Sequence, residues 1–128
     1  MNYYIARVVD AGFDEVVARI VDALKKEGFG VLTDIDVSAT MKQKLGVDFR
    51  KYRILGACNP PLAHKALTAE DKIGVMLPCN VIVQQADAGK TEVAAIDPRA
   101  AMERVGNPAL AALAGEVAER LGRVLQAL

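Results

Sequence analysis

Residues Lys51–Asn80 read KYRILGACNPPLAHKALTAEDKIGVMLPCN and hold both cysteines, the only histidine and three of the five prolines. Two Cys-Asn pairs stand in it beside prolines, as Cys58-Asn59-Pro60 and Pro78-Cys79-Asn80. Tyr52, Ile54, Gly56 and Cys58 alternate with Arg53, Leu55 and Ala57, so Lys51–Cys58 is predicted as a strand with two distinct faces. Asn59 followed by Pro60 and Pro61 is a helix start. The asparagine oxygen accepts from a free backbone amide, and proline occupies positions where no amide is needed. This helix is expected to reach about Ala69, with Leu62, Ala63, Ala66 and Leu67 on its buried face and His64 pointing away from them. A further strand is expected over Gly74–Gln85, broken at Pro78, whose missing amide suggests a sheet edge or a bulge.

Working outward, Tyr3–Val9 is aromatic and β-branched and reads as a strand. Val16, Val17, Ile20, Val21 and Leu24 recur at helical spacing behind Gly12, with Glu15 placed as in a capping box and Gly28 as the stop. Gly30–Val37 alternates Val31, Thr33, Ile35 and Val37 against Leu32, Asp34 and Asp36, a strand with one buried face, which makes a βαβ unit with the preceding elements. Ser38 is placed to cap a short helix ending near Gly46. Beyond the quoted stretch, Asp87-Ala88-Gly89 turns the chain into a hairpin with Lys90–Ile96. Asp97-Pro98 and Asn107-Pro108 open two more helices, the last with a stripe from Leu110 to Leu128 and acid-first pairs Glu116–Arg120 and Glu119–Arg123.

The order β-α-β-α-β-α-β-β-α-α describes an α+β fold: a two-layer sandwich of about five strands with helices mainly on one face, in a single domain over residues 1–128. A sheet face left uncovered needs a partner, so a homodimer is expected. Sixteen basic and sixteen acidic side chains cancel, which removes the long-range field of a protein devoted to nucleic acid or acidic lipid. Lys42, Lys44, Arg50, Lys51 and Arg53 less Asp48 leave a local excess of four positive charges, but no glycine-rich phosphate loop accompanies them. Nothing approaches the roughly 20 apolar residues of a membrane span. The N-terminal MNYYIARVVD lacks the pattern of a signal peptide, so a cytoplasmic location with reduced thiols is expected.

Leu45-Gly46-Val47, the run Tyr52–Ala63, Ile73-Gly74, Leu77-Pro78-Cys79-Asn80-Val81 and Ile96-Asp97-Pro98 together resemble the domain of unknown function 302 family. Gly28-Phe29 and Asp34-Ile35-Asp36-Val37 fit the same pattern, so the resemblance covers nearly the whole chain. It implies a compact, dimeric α+β domain. It carries no established reaction, so no catalytic residue is transferred and no cofactor is named.

The candidate ligand-binding residues are Cys58, Asn59, Cys79, Asn80 and Arg53, at strand ends that one sheet can bring together. Cys58 lies just before a helix start, a position that favours a thiolate. The simpler account is a small buried side chain, since free cysteine is among the most buried residue types. A Cys58–Cys79 bridge stays open on sequence. Two cysteines and one histidine make no zinc set, so no metal is expected. His64 as partner base, and Asp34 with Asp36 as an acid–base pair, are weaker candidates than a solvated helix face and a solvated strand face. Two functions are carried forward: a small-molecule-binding or thiol-based module at the two Cys-Asn strand ends, and a homodimeric structural or interaction module with no chemistry of its own.

Overall fold

Strand β3 (Tyr52–Cys58) runs antiparallel to β4 (Cys79–Gln85), pairing Leu55 with Val81 and Ala57 with Cys79. A computed structural model describes residues 2–128 and places these two strands inside a five-stranded sheet. Its outer members are β1 (Tyr4–Val9), β2 (Gly30–Asp36) and β5 (Thr91–Ile96), in the order β1-β5-β4-β3-β2. Every neighbouring pair is antiparallel, so β1 and β2 run the same way at opposite edges. The expected βαβ unit therefore spans the whole sheet, with α1 (Phe13–Lys26) crossing over it.

The period-2 pattern sorts the sheet into two faces. Leu55, Ala57, Val81, Val83, Val93 and Ala95 are buried on one, against Val16, Ile20 and Leu24 of α1 and Leu121 and Val124 of α5 (Pro108–Gln126). The other face carries Tyr52, Ile54, Ile82, Ala94 and Ile96, none of them fully buried. The fold is thus α+β, with the element order expected from sequence and one added 3-10 helix, Asp71–Met76. Two short helices complete it, α2 (Val37–Leu45) and α4 (Pro98–Glu103), along with α3 (Pro60–Ala69).

Cap chemistry sets the helix starts. Asn59, Asp97 and Asn107 each accept a backbone amide at the head of a helix whose next residue is proline. Asn107 also donates to the Ala69 carbonyl, 3.0 Å away, which ties the start of α5 to the end of α3. Arg7 donates to the carbonyls of Leu125 and Gln126 at 2.9 Å, placing a cation on the negative end of α5.

Several local expectations change. Asp36, not Ser38, caps α2, and it accepts from both the Ala39 amide and the Ser38 hydroxyl, which holds its carboxyl below the usual range. Gly12 starts α1 with no side-chain bond; Glu15, placed for a capping box, pairs with Arg19 at 2.9 Å. Arg123 reaches Glu27 across to α1 rather than Glu119 on its own helix. The 3-10 helix replaces the first part of the strand expected at Gly74, and β4 begins after Pro78 as an interior strand. The proline lies just ahead of the ladder, so its missing amide breaks no strand pairing. Strand β2 is an edge, with Thr33–Asp36 exposed rather than half-buried. A register shift at Leu32 sets Val31 opposite Ala57 but Thr33 opposite Gly56 and Ile35 opposite Ile54. The shift moves the β-branched row from the helix side to the open side.

Gly56 marks a close approach in the sheet. A Cβ there would overlap the Thr33 hydroxyl and stand 2.8 Å from Cγ of Pro78. Gly56→Ala is expected to cost about 1–3 kcal/mol through overpacking, read as a lower denaturant midpoint with an unchanged slope. Thr33→Ala in that background should recover only part of the loss, because the proline ring stays.

Candidate functional site

Where β3 hands over to α3 and the 3-10 helix hands over to β4, a cavity of about 320 Å³ opens between the sheet and α3, α4 and α5. Ala57, Cys58, Asn59, Pro78 and Cys79 form its sheet-side wall. Leu62, Ala63 and Ala66 of α3 face Leu110, Leu113, Ala114 and Val117 of α5, and Met102 of α4 closes a third side. The space is partly open to solvent. It lies at the low end of the range for small-molecule sites, about 300–1,000 Å³.

The cause is visible in the side chains. Alanines stand at positions 57, 63, 66 and 114, where the helix-to-sheet layer elsewhere is filled by leucine, isoleucine and valine. Short side chains at facing positions leave unfilled volume that rigid neighbours do not close. Leu32 and Leu67, 67% and 44% exposed, stand at the margin, so the space communicates with solvent past apolar side chains.

Both cysteines are free and both line this cavity. Cys79 belongs to the buried core cluster, and burial, reinforced by the neighbouring Cys58, pushes its thiol up to about 11. At neutral pH it is a protonated, weakly polar wall group. Cys58 is half-buried and is the accessible thiol of the two. Asn59 is 8% exposed; its Oδ1 accepts from the Leu62 amide at 3.3 Å.

Of the five residues singled out from sequence, the cavity brings together Cys58, Asn59 and Cys79. Asn80 projects from the opposite, open face, in a separate groove with Tyr4, Tyr52 and Gln84. That follows from strand alternation: its neighbour Cys79 faces the helices. Arg53 sits toward the far end of β3 and makes two 2.9 Å bonds to Asp34. Asp34 and Asp36 serve that ion pair and the α2 cap respectively, and His64 is exposed on α3 away from the cavity wall. The helix-borne wall, above all Leu113, Ala114 and Val117, was read from sequence only as an apolar stripe. The alanines within the stripes are the signal that separates a cavity wall from a filled core.

Among the described residues no group of three or more His, Cys, Asp or Glu side chains is placed to hold a metal ion, and no helix is long and apolar enough to cross a membrane. Comparison with protein families matches residues 5–128 to the domain of unknown function DUF302. The chain belongs to the DUF302 family. The crystal structure of an uncharacterized conserved DUF302 protein from Bacillus stearothermophilus is similar, at 32% identity and a TM-score of 0.91, over 98% of this chain and 97% of that one. The curated proteins contain no match. Family membership therefore agrees with the fold and leaves the chemistry of this DUF302 chain to its own cavity.

The burial difference between the thiols sets a test. At neutral pH iodoacetamide should alkylate one thiol in the folded protein, and Cys58→Ser should abolish the fast labelling. Cys79 should label only after unfolding or as pH approaches 11, the direction set by its raised value.

Proposed function

We propose that this protein binds a small, mainly apolar molecule in the cavity at the ends of β3 and β4, with the Cys58 thiol on the wall. The observation that supports this reading is the cavity itself: about 320 Å³, walled by aliphatic side chains from the sheet and three helices, with its few polar groups gathered at Cys58, Asn59 and Cys79. An apolar recess with a small set of convergent polar groups is the common form of a ligand site. Cys58 supplies a nucleophilic or redox-active atom beside whatever occupies it.

The test uses N-phenyl-1-naphthylamine, whose fluorescence rises in apolar surroundings. Saturable binding at one site per chain is expected. Ala63→Phe, on the half-buried wall of α3, should fill the space and weaken binding at least about tenfold, while costing no more than about 1–3 kcal/mol of stability. Unaltered binding by a folded Ala63→Phe protein would refute the reading.

A second reading concerns the other side of the sheet, and it is compatible with the first. Tyr4, Val8 and Ile35 are 41%, 53% and 48% exposed on the open face, next to the half-buried Ile54, Ile82 and Ile96. Apolar surface of this kind on a sheet is commonly covered by a partner, and we propose a homodimer joined through it. Sedimentation equilibrium is expected to give twice the chain mass for the native protein and the chain mass for Val8→Glu, a substitution that puts a second carboxylate opposite Glu92 on that face. A monomer at all concentrations removes this reading and leaves the cavity untouched.

A further inference from the structure

Leu32 is a residue that the sheet does not need. Val31 pairs with Ala57 and Thr33 with Gly56, which are consecutive on β3, so Leu32 is an extra residue in β2 with no partner of its own. Struck from the chain, it would leave Val31 and Thr33 opposite the same partners in an unbroken ladder, each on the face it now occupies. The core does not use it either. Leu32 belongs to neither buried cluster and its side chain is exposed. A leucine left in water forgoes the burial that usually accounts for one in a strand.

The extra residue does change one thing. Val31 packs against the core on the helix side, so plain alternation would turn the next residue to the open face. Leu32 instead lines the cavity, on the helix side of the sheet. Leu67 of α3 stands at the same margin, close against Gly74 of the 3-10 helix. Bulges that re-aim a side chain recur beside functional sites. Building on the cavity reading above, we infer that Leu32 is the retaining residue of that site. The ligand reaches the mouth with an apolar segment, and Leu32 covers it there. Apolar surface that the empty protein leaves in water is then buried only in the bound state. Such a contact forms after entry, so it slows release more than it slows binding.

Stopped-flow fluorescence of N-phenyl-1-naphthylamine tests this, with entry timed by mixing and release by dilution. Four proteins are compared: the native chain, Leu32→Ala, Leu32→Met and a chain with Leu32 deleted. Leu32→Ala and the deletion are expected to release the probe at least about fivefold faster, with entry within about twofold of native, so that Kd rises by a similar factor. Leu32→Met keeps an apolar side chain at the mouth and should release within about twofold of native. The deleted chain should fold with a denaturant midpoint no lower than the native one, because its ladder is regular. Where it does not fold, Leu32→Ala decides alone, since that change touches an exposed side chain. Native release from Leu32→Ala would overturn the inference. So would entry and release that quicken together at constant Kd, the mark of a side chain that only obstructs. Absence of probe binding by the native chain would instead remove the cavity reading on which this one rests.

Discussion

One face of the sheet is buried and the other is not, and most of the molecule follows from that asymmetry. The central strands β3, β4 and β5 put Leu55, Val81, Val83 and Val93 against α1 and α5, all fully buried. Burial of this kind contributes roughly 1.5–3 kcal/mol per large aliphatic side chain. Polar bonds at the helix ends add to this layer, tying α5 to the sheet and α1 to α5. Arg7 of β1 holds the last turn of α5, and Arg120 and Arg123 of α5 hold the last turn of α1 through the Glu27 carbonyl and carboxylate. These bonds set the spacing between helices, and so the width of what lies beyond the core.

Where the aliphatic layer ends, the cavity begins. The helix pair α3–α5 presents alanines at positions 63, 66 and 114 toward Ala57. Nothing in the scaffold can move in to fill the gap. The start of α3 is pinned by the Asn59 cap, its end by Asn107, and the sheet wall by the contact of Gly56 with Thr33 and Pro78. A small side chain in a loose segment would collapse; the same side chain between pinned segments leaves space. The location of Cys58 at this point is a consequence of chain path, since the last residue of β3 necessarily borders the turn into α3.

The parts of this arrangement that depend on local chemistry were legible in the sequence. Asn59, Asp97 and Asn107, each followed by proline, gave three helix starts to the residue, and Gly28 and Gly46, at φ +86° and +67°, mark two helix ends. The α+β class and the element order follow from those boundaries and from strand alternation. The parts that depend on pairing were not legible. Alternation in Val31-Leu32-Thr33-Asp34-Ile35 is the same for an edge strand as for an interior one, and the one-residue shift at Leu32, which decides its facing, leaves no mark on composition. Ile73-Gly74-Val75-Met76 has strand-like residues, yet Val75 is 89% exposed in a 3-10 turn, because β4 cannot begin until Pro78 is passed. Grouping Asn80 with the site failed for a simpler reason. Two adjacent strand residues face opposite sides, so Cys79 and Asn80 cannot both line one cavity.

The Asn59 side chain joins these levels. Its Oδ1 accepts from the Leu62 amide and fixes the start of α3, while its Nδ2 lies against Gly28 at the end of α1. A Cβ on Gly28 would stand 3.0 Å from that nitrogen, and Gly28 holds φ +86°, so any side chain there would displace the amide from its place against α1. One residue therefore sets where α3 begins, meets the end of α1, and forms part of the cavity wall.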